Sequence, residues 1–106
     1  MNLLSITTPR FFASELIREA LFETLKKELP YCCEVRVDEF KEPKPNDKKP
    51  VNRIKATVFV ERDSQKVIVI GKGGVQIKNV GISAREKIEA FLQEKVFLQL
   101  SGTFEF

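Results

Sequence analysis

The chain has 106 residues, 42% of them hydrophobic, with no His, two Cys and a formal net charge of +3. That supports one domain of two packed layers around a single core, leaves no room for a second, and lies well above the apolar content that keeps chains disordered. So small a positive excess favours polyanions only weakly, and any argument for a nucleic acid has to come from where the charges fall. No apolar run nears the roughly 18 residues of a membrane span, and the opening Met1 to Pro9 has neither a signal-peptide h-region nor an Arg-rich transit pattern. The expectation is a soluble, cytoplasmic protein, or one of an organelle's stroma or matrix if the parent is organellar, with no membrane partner. Cys32 and Cys33 are adjacent, so in a strand they point to opposite faces and make a poor disulfide or metal pair. Without His a zinc site is close to excluded; one buried and one exposed thiol are expected, and no metal or cofactor.

Thr8-Pro9 is a helix start, a hydroxyl cap followed by the residue that suits the first helical position. The spacing predicts a helix to about Leu29, ended by Pro30, with Ala13, Ile17, Ala20, Leu21 and Leu25 facing a core and Phe11, Phe22 and Leu29 widening the buried face. From Tyr31 the period becomes two: Tyr31, Cys33, Val35 and Val37 on one face, Glu34, Arg36 and Asp38 on the other. Lys41 to Asn52, with three prolines, clustered charges and no period, reads as an exposed loop, and its Lys44, Lys48 and Lys49 as solvated side chains in preference to a contact for a polyanion. A second strand alternates Ile54, Ala56, Val58 and Val60 with Lys55, Thr57, Phe59 and Glu61, antiparallel to the first. Val67 to Ile70 would be a strand on β propensity alone, although Asp63 and Ser64 before it are good helix caps. Beyond a glycine cluster, Ile77, Val80, Ala84, Ile88, Phe91 and Leu92 mark a helix from about Val75 to Gln93, with Gly81 a weak point inside it. A last strand covers Val96 to Leu100.

Gly71-Lys72-Gly73-Gly74 is the segment with chemistry to offer. A P-loop, G-x-x-x-x-G-K-[ST], and a dinucleotide fingerprint, G-x-G-x-x-G/A, both fail at Gln76, which stands where their next small residue belongs. The remaining reading is a G-x-x-G loop between two helices. A glycine turn opening a helix offers free amides and the positive end of the helix dipole, which together suit a phosphate. Lys72 adds a cation within the loop, and Lys66 and Lys78 stand a turn away on either side. Ile68, Ile70 and Ile77 can floor a groove for bases beside the second strand, from which Arg53 or Lys55 would reach base edges or phosphates.

The run Val60-Glu61-Arg62-Asp63-Ser64-Gln65-Lys66, then Ile68 to Gly74, Ile77-Lys78, Val80-Gly81 and Ala84-Arg85, resembles the C-terminal KH domain of Era-family GTPases. Upstream, Arg10-Phe11-Phe12, Ser14 to Glu19, Leu29-Pro30-Tyr31 and Glu39-Phe40-Lys41 resemble the helix and strand that precede it there, and Lys95 to Leu98 its last strand. The resemblance covers about Arg10 to Leu100. It implies an α+β, type II KH domain in the order α-β-β-α-α-β, a three-stranded mixed sheet with three helices on one face, and a short helix, not a strand, before the loop. On that basis residues 1–106 form a single domain with a core of about 10–100, and 1–9 and 101–106 are altered or disordered ends. Val67 departs from the Gly frequent in the family, and Ser101 to Phe106 from its basic tail.

The resemblance implies single-stranded RNA as partner, the small-subunit ribosomal RNA 3′ end in ribosome assembly, with a GTPase domain as a further partner in the parent protein and a monomeric state. The expected RNA-binding residues are Gly71, Lys72, Gly73, Gly74, Lys66, Ile68, Ile70, Ile77, Lys78, Arg53 and Lys55. The competing function is a KH-fold structural or protein-interaction domain that no longer binds RNA. Catalysis is not expected, because neither Cys has a base nearby and Glu61, Asp63, Glu86 and Glu89 read as solvated helix and strand ends.

Overall fold

The computed structural model describes residues 8–25 and 33–104. In chain order these form α1 (Pro9–Leu25), β1 (Glu34–Lys41), β2 (Val51–Val60), α2 (Asp63–Ile70), a 3₁₀ turn (Lys72–Gly74), α3 (Val75–Leu92) and β3 (Lys95–Phe104). The expected helix end at 26–30 and the residues Tyr31 and Cys32 lie outside the described residues. Thr8 caps α1 as the sequence indicates: its Oγ1 accepts from the Phe11 N–H at 3.1 Å. At the start of α2 the cap is supplied by Gln65, whose Oε1 accepts from the N–H groups of both Glu61 and Arg62 at 3.1 Å. These bonds fix the chain where α2 begins and form one half of a capping box, since the Arg62 side chain carries donors only and cannot accept in return.

The sheet has the order β1-β2-β3, with β1 antiparallel and β3 parallel to the central β2. Parallel pairing requires a crossover, which α2, the glycine turn and α3 provide. Ile54, Ala56, Val58 and Val60 of β2 all point to the helix side and are buried. They meet Ala13, Ile17, Ala20, Leu21 and Leu25 of α1, Val69 of α2, and Val80, Ala84 and Ile88 of α3. Ala13, Ala20 and Ala84 are fully covered, and small residues there let backbones approach closely. Truncating a large member such as Ile17 or Ile54 to Ala would cost about 2–5 kcal/mol, because the vacated space only partly collapses.

Three features differ from expectation. Phe11 and Phe22 are 52% and 49% exposed. The two-layer fold covers α1 on one side only, so the buried stripe is the narrow one and these rings fall outside it. A bulge at Asp38 shifts the β1 register between Val37 and Glu39, so that Phe40 and not Glu39 joins Val37 on the core side. Asp38 uses its position to accept from the Thr57 hydroxyl at 2.6 Å. Ser101 to Phe104, expected among the altered ends, continue β3 in parallel register with Thr57 to Val60.

Candidate nucleic-acid interface

Gly71, Gly73 and Gly74 all have positive φ, at 76°, 65° and 79°. Gly71 is needed on two counts, because a Cβ there would stand 2.5 Å from the Gln76 Cγ and 2.9 Å from its backbone N. At Gly73 and Gly74 a Cβ would meet nothing within 4 Å, so the space above the turn is open. The turn spends its carbonyls internally: Gly71 O accepts from Gly74 N–H at 3.1 Å, and Lys72 O from Val75 N–H. No side chain caps α3, and its first turn carries no acidic residue, so the positive end of the helix dipole faces outward unneutralised. Lys72 and Lys78 are exposed beside it.

A groove of about 370 Å³ lies between α3 and the edge strand β3, lined by Ile77, Lys78, Gly81, Ile82, Arg85, Leu98 and Leu100. Gly102 admits α2 and α3 to the same strand: a Cβ there would lie 3.3 Å from Ile70 Cγ1 and 3.4 Å from Ile77 Cδ1. Of the residues expected from sequence, Ile77 and Lys78 line the groove, Gly71 to Gly74 form the turn that precedes them at the start of α3, and Ile70 packs beside Ile77 over Gly102. Lys66 and Ile68 are half-exposed on α2, outside its lining.

Arg53 and Lys55 are not brought to this site. They occupy the outward positions of the central strand, opposite in parity to buried Ile54 and Ala56, and so project from the sheet face that the helices leave uncovered. The Arg53 guanidinium lies 5.7 Å from the centre of the Phe97 ring, and the Lys55 ammonium lies 3.8 Å from Glu39. Hydrogen bonding to Lys41 first, and then the Lys55 charge, hold the Glu39 carboxyl below its ordinary range. The strand beside the groove is β3, not β2.

Sequence reasoning passed over Gly81, Ile82 and Arg85 as groove residues, yet Lys78, Gly81, Ile82 and Arg85 follow helical spacing on one face of α3. Leu98 and Leu100 were read only as strand alternation. Glu89, read as a solvated carboxylate, has structural partners: one oxygen accepts from Val96 N–H at 2.9 Å and the other faces Arg85 at 3.2 Å. No cluster of metal-ligating side chains occurs among the described residues, and no described helix is long and apolar enough to cross a membrane.

Comparison with known proteins gives a consistent result. The model of the KH domain family matches residues 16–104. GTPase Era of Xylella fastidiosa is 49% identical over 90 residues, covering 85% of this chain and 28% of that protein. GTPase Era of Geobacter metallireducens is 46% identical over 99 residues, covering 93% and 32%. Aquifex aeolicus Era bound to GDP.AlF4- superposes with a TM-score of 0.82 at 30% identity, over 93% of this chain and 32% of that one. Era in complex with MgGDPNP and nucleotides 1506–1542 of 16S ribosomal RNA gives the same TM-score and identity over 94% of this chain. The chain spans about a third of the length of these relatives, and the part matched has the α-β-β-α-α-β order described above.

Proposed function

The chain belongs to the KH domain family, and from that premise we propose that it binds single-stranded RNA through the Gly71–Gly74 turn and the groove between α3 and β3. The observation that carries this reading is the orientation of the turn. The Gly71 and Lys72 carbonyls are spent on bonds of the turn itself, while an α3 start with no side-chain cap lies under open space at Gly73 and Gly74, an arrangement that suits a phosphodiester. Lys72 and Lys78 supply the charge, and Ile77, Ile82, Leu98 and Leu100 an apolar wall for bases. Aliphatic contact can stand in for aromatic stacking in so narrow a groove. The RNA segment we assign is the 3′ end of small-subunit ribosomal RNA, supported by the ribosomal RNA held in the Era complex to which this fold is similar. The GTPase activity of the relatives' full length is not assigned to the part present here.

A grip on about four nucleotides at roughly 1–3 kcal/mol per base, less ordering costs, gives a dissociation constant of about 1–100 µM. The test is Lys72→Asp with Gly73→Asp. Asp tolerates positive φ better than most residues, and the position is open, so the double variant should keep its circular dichroism and melt within a few degrees of the parent. Two carboxylates at a phosphate site should abolish binding of a short 3′-end oligonucleotide in fluorescence anisotropy. Equal affinity in the two proteins would refute the assignment. A log-log salt slope of about −0.7 per phosphate contact is a companion expectation.

A second reading, a protein-interaction domain, is favoured by one observation: Phe11, Phe22 and Phe91 are each about half exposed on the helical side. Pull-down with the double variant separates the readings, since only protein partners would survive it.

A further inference from the structure

Arg85 stands at the end of the groove remote from the glycine turn. Eleven residues separate it from Gly74, about 16 Å of helix, a span suited to the roughly four nucleotides that a G-x-x-G loop handles. It lines the groove and also the next depression, formed with Val51, Gln93, Glu94 and Lys95, so a strand leaving the groove in this direction passes its guanidinium.

Its guanidinium is tethered on one side. Glu89 Oε1 holds Arg85 Nη1 at 3.2 Å, and Glu89 Oε2 is itself held by the Val96 N–H at 2.9 Å, at the start of the strand that forms the opposite wall. The ion pair therefore ties the guanidinium to both sides of the groove. With 42% of its side chain exposed, Arg85 keeps donors free while their direction is set.

Resting on the RNA-binding reading above, we propose that Arg85 selects the base at the far end of the groove, favouring one that presents two adjacent acceptors. A guanidinium only donates, in a rigid fork. Cytosine offers O2 beside N3, and guanine O6 beside N7; adenine and uracil alternate donor with acceptor along the corresponding edges. The remote position therefore prefers cytosine or guanine by about 5- to 150-fold, the range of a good bidentate contact.

The experiment uses labelled hexauridylate and its variants with a single cytidine, guanosine or adenosine at each position in turn, bound to the full chain and to Arg85→Lys. Lysine keeps the positive charge and loses the fork. In the parent, cytidine or guanosine at one position should raise affinity by the factor above, and in Arg85→Lys that ratio should fall to near one. Arg85→Ala, checked for folding by circular dichroism, should show the same collapse. A preference that persists in both variants, or a parent that binds all the oligonucleotides alike, would overturn the proposal while leaving RNA binding intact. A parent that binds none of them would overturn both.

Discussion

Gly71 and Gly73 sit two residues apart with similar φ, yet the chain depends on them differently. At Gly73 an added methyl meets open space; at Gly71 it meets Gln76 atoms at 2.5–2.9 Å in a backbone region closed to other residues. Strain and overlap together should make Gly71→Ala cost about 2–4 kcal/mol, a fall in Tm of roughly 10–20 °C for a domain of this size, whereas Gly73→Ala should cost about half that. Thermal melts of the two variants side by side check this, and equal losses would mean that the Gln76 contact is relaxed without cost. Cys33 gives a residue-scale prediction in pH. Burial pushes its thiol above the ordinary value of 9.0, outweighing the opposing Arg18 charge. The folded state thus keeps a proton that the unfolded state releases, so this contribution to stability is complete below pH 9 and is lost as pH rises through the higher folded value. Tm should decline above pH 9, and Cys33→Ala should decline less steeply over the same interval.

Between elements, α1 and α3 are joined by one charged link over their small-residue seam. Lys87 of α3 reaches Glu19 at 2.8 Å and Glu23 at 2.9 Å on α1. Hydrogen bonding to Glu19 first, then to Glu23, raises the ammonium pKa above its ordinary value of 10.5, so the link is lost only as pH rises through that higher value. Lys87→Gln should lower Tm slightly and flatten its dependence on sodium chloride between about 0.05 and 1 M, because a solvent-facing link is screened by salt. An unchanged salt dependence would show that the link contributes nothing. What the sequence made legible at this scale was whatever is written locally: the Thr8 cap, the alternation of β2, and the glycine turn with α3 after it. The width of the covering layer is not local, which is why Phe11 and Phe22 were assigned to the core although no described residue covers α1 on that side. Arg53 and Lys55 were misplaced for a related reason. Their parity against Ile54 and Ala56 already put them opposite the helices, but only the strand order shows that β3, and not β2, borders the groove. Ser101 to Phe104 have no alternating apolar pattern, and their place in the sheet follows from parallel pairing with β2.

Over the whole molecule, the proposed RNA-binding role and folding make opposite demands on α3, and Gly81 is where they conflict. A glycine inside a helix costs about 0.5–1 kcal/mol relative to alanine, yet a Cβ at Gly81 would meet nothing within 4 Å. No packing or backbone requirement explains the glycine, and its position in the groove lining does. Gly81→Ala should therefore raise Tm by a few degrees, consistent with about 0.5–1 kcal/mol. Gly81→Leu should also fold at least as well as the parent, since its side chain projects into the groove and not into the core. On the proposed RNA path it would occupy the space assigned to the bases and should weaken oligonucleotide binding by tenfold or more, about 1.4 kcal/mol or above. A stabilising substitution that impairs binding cannot act by unfolding the domain, which separates this test from most groove mutations. If Gly81→Leu melts higher and binds a short single strand with undiminished affinity, the RNA does not run between α3 and β3, and the turn at Gly71–Gly74 would have to present its amides to something that approaches from outside the groove.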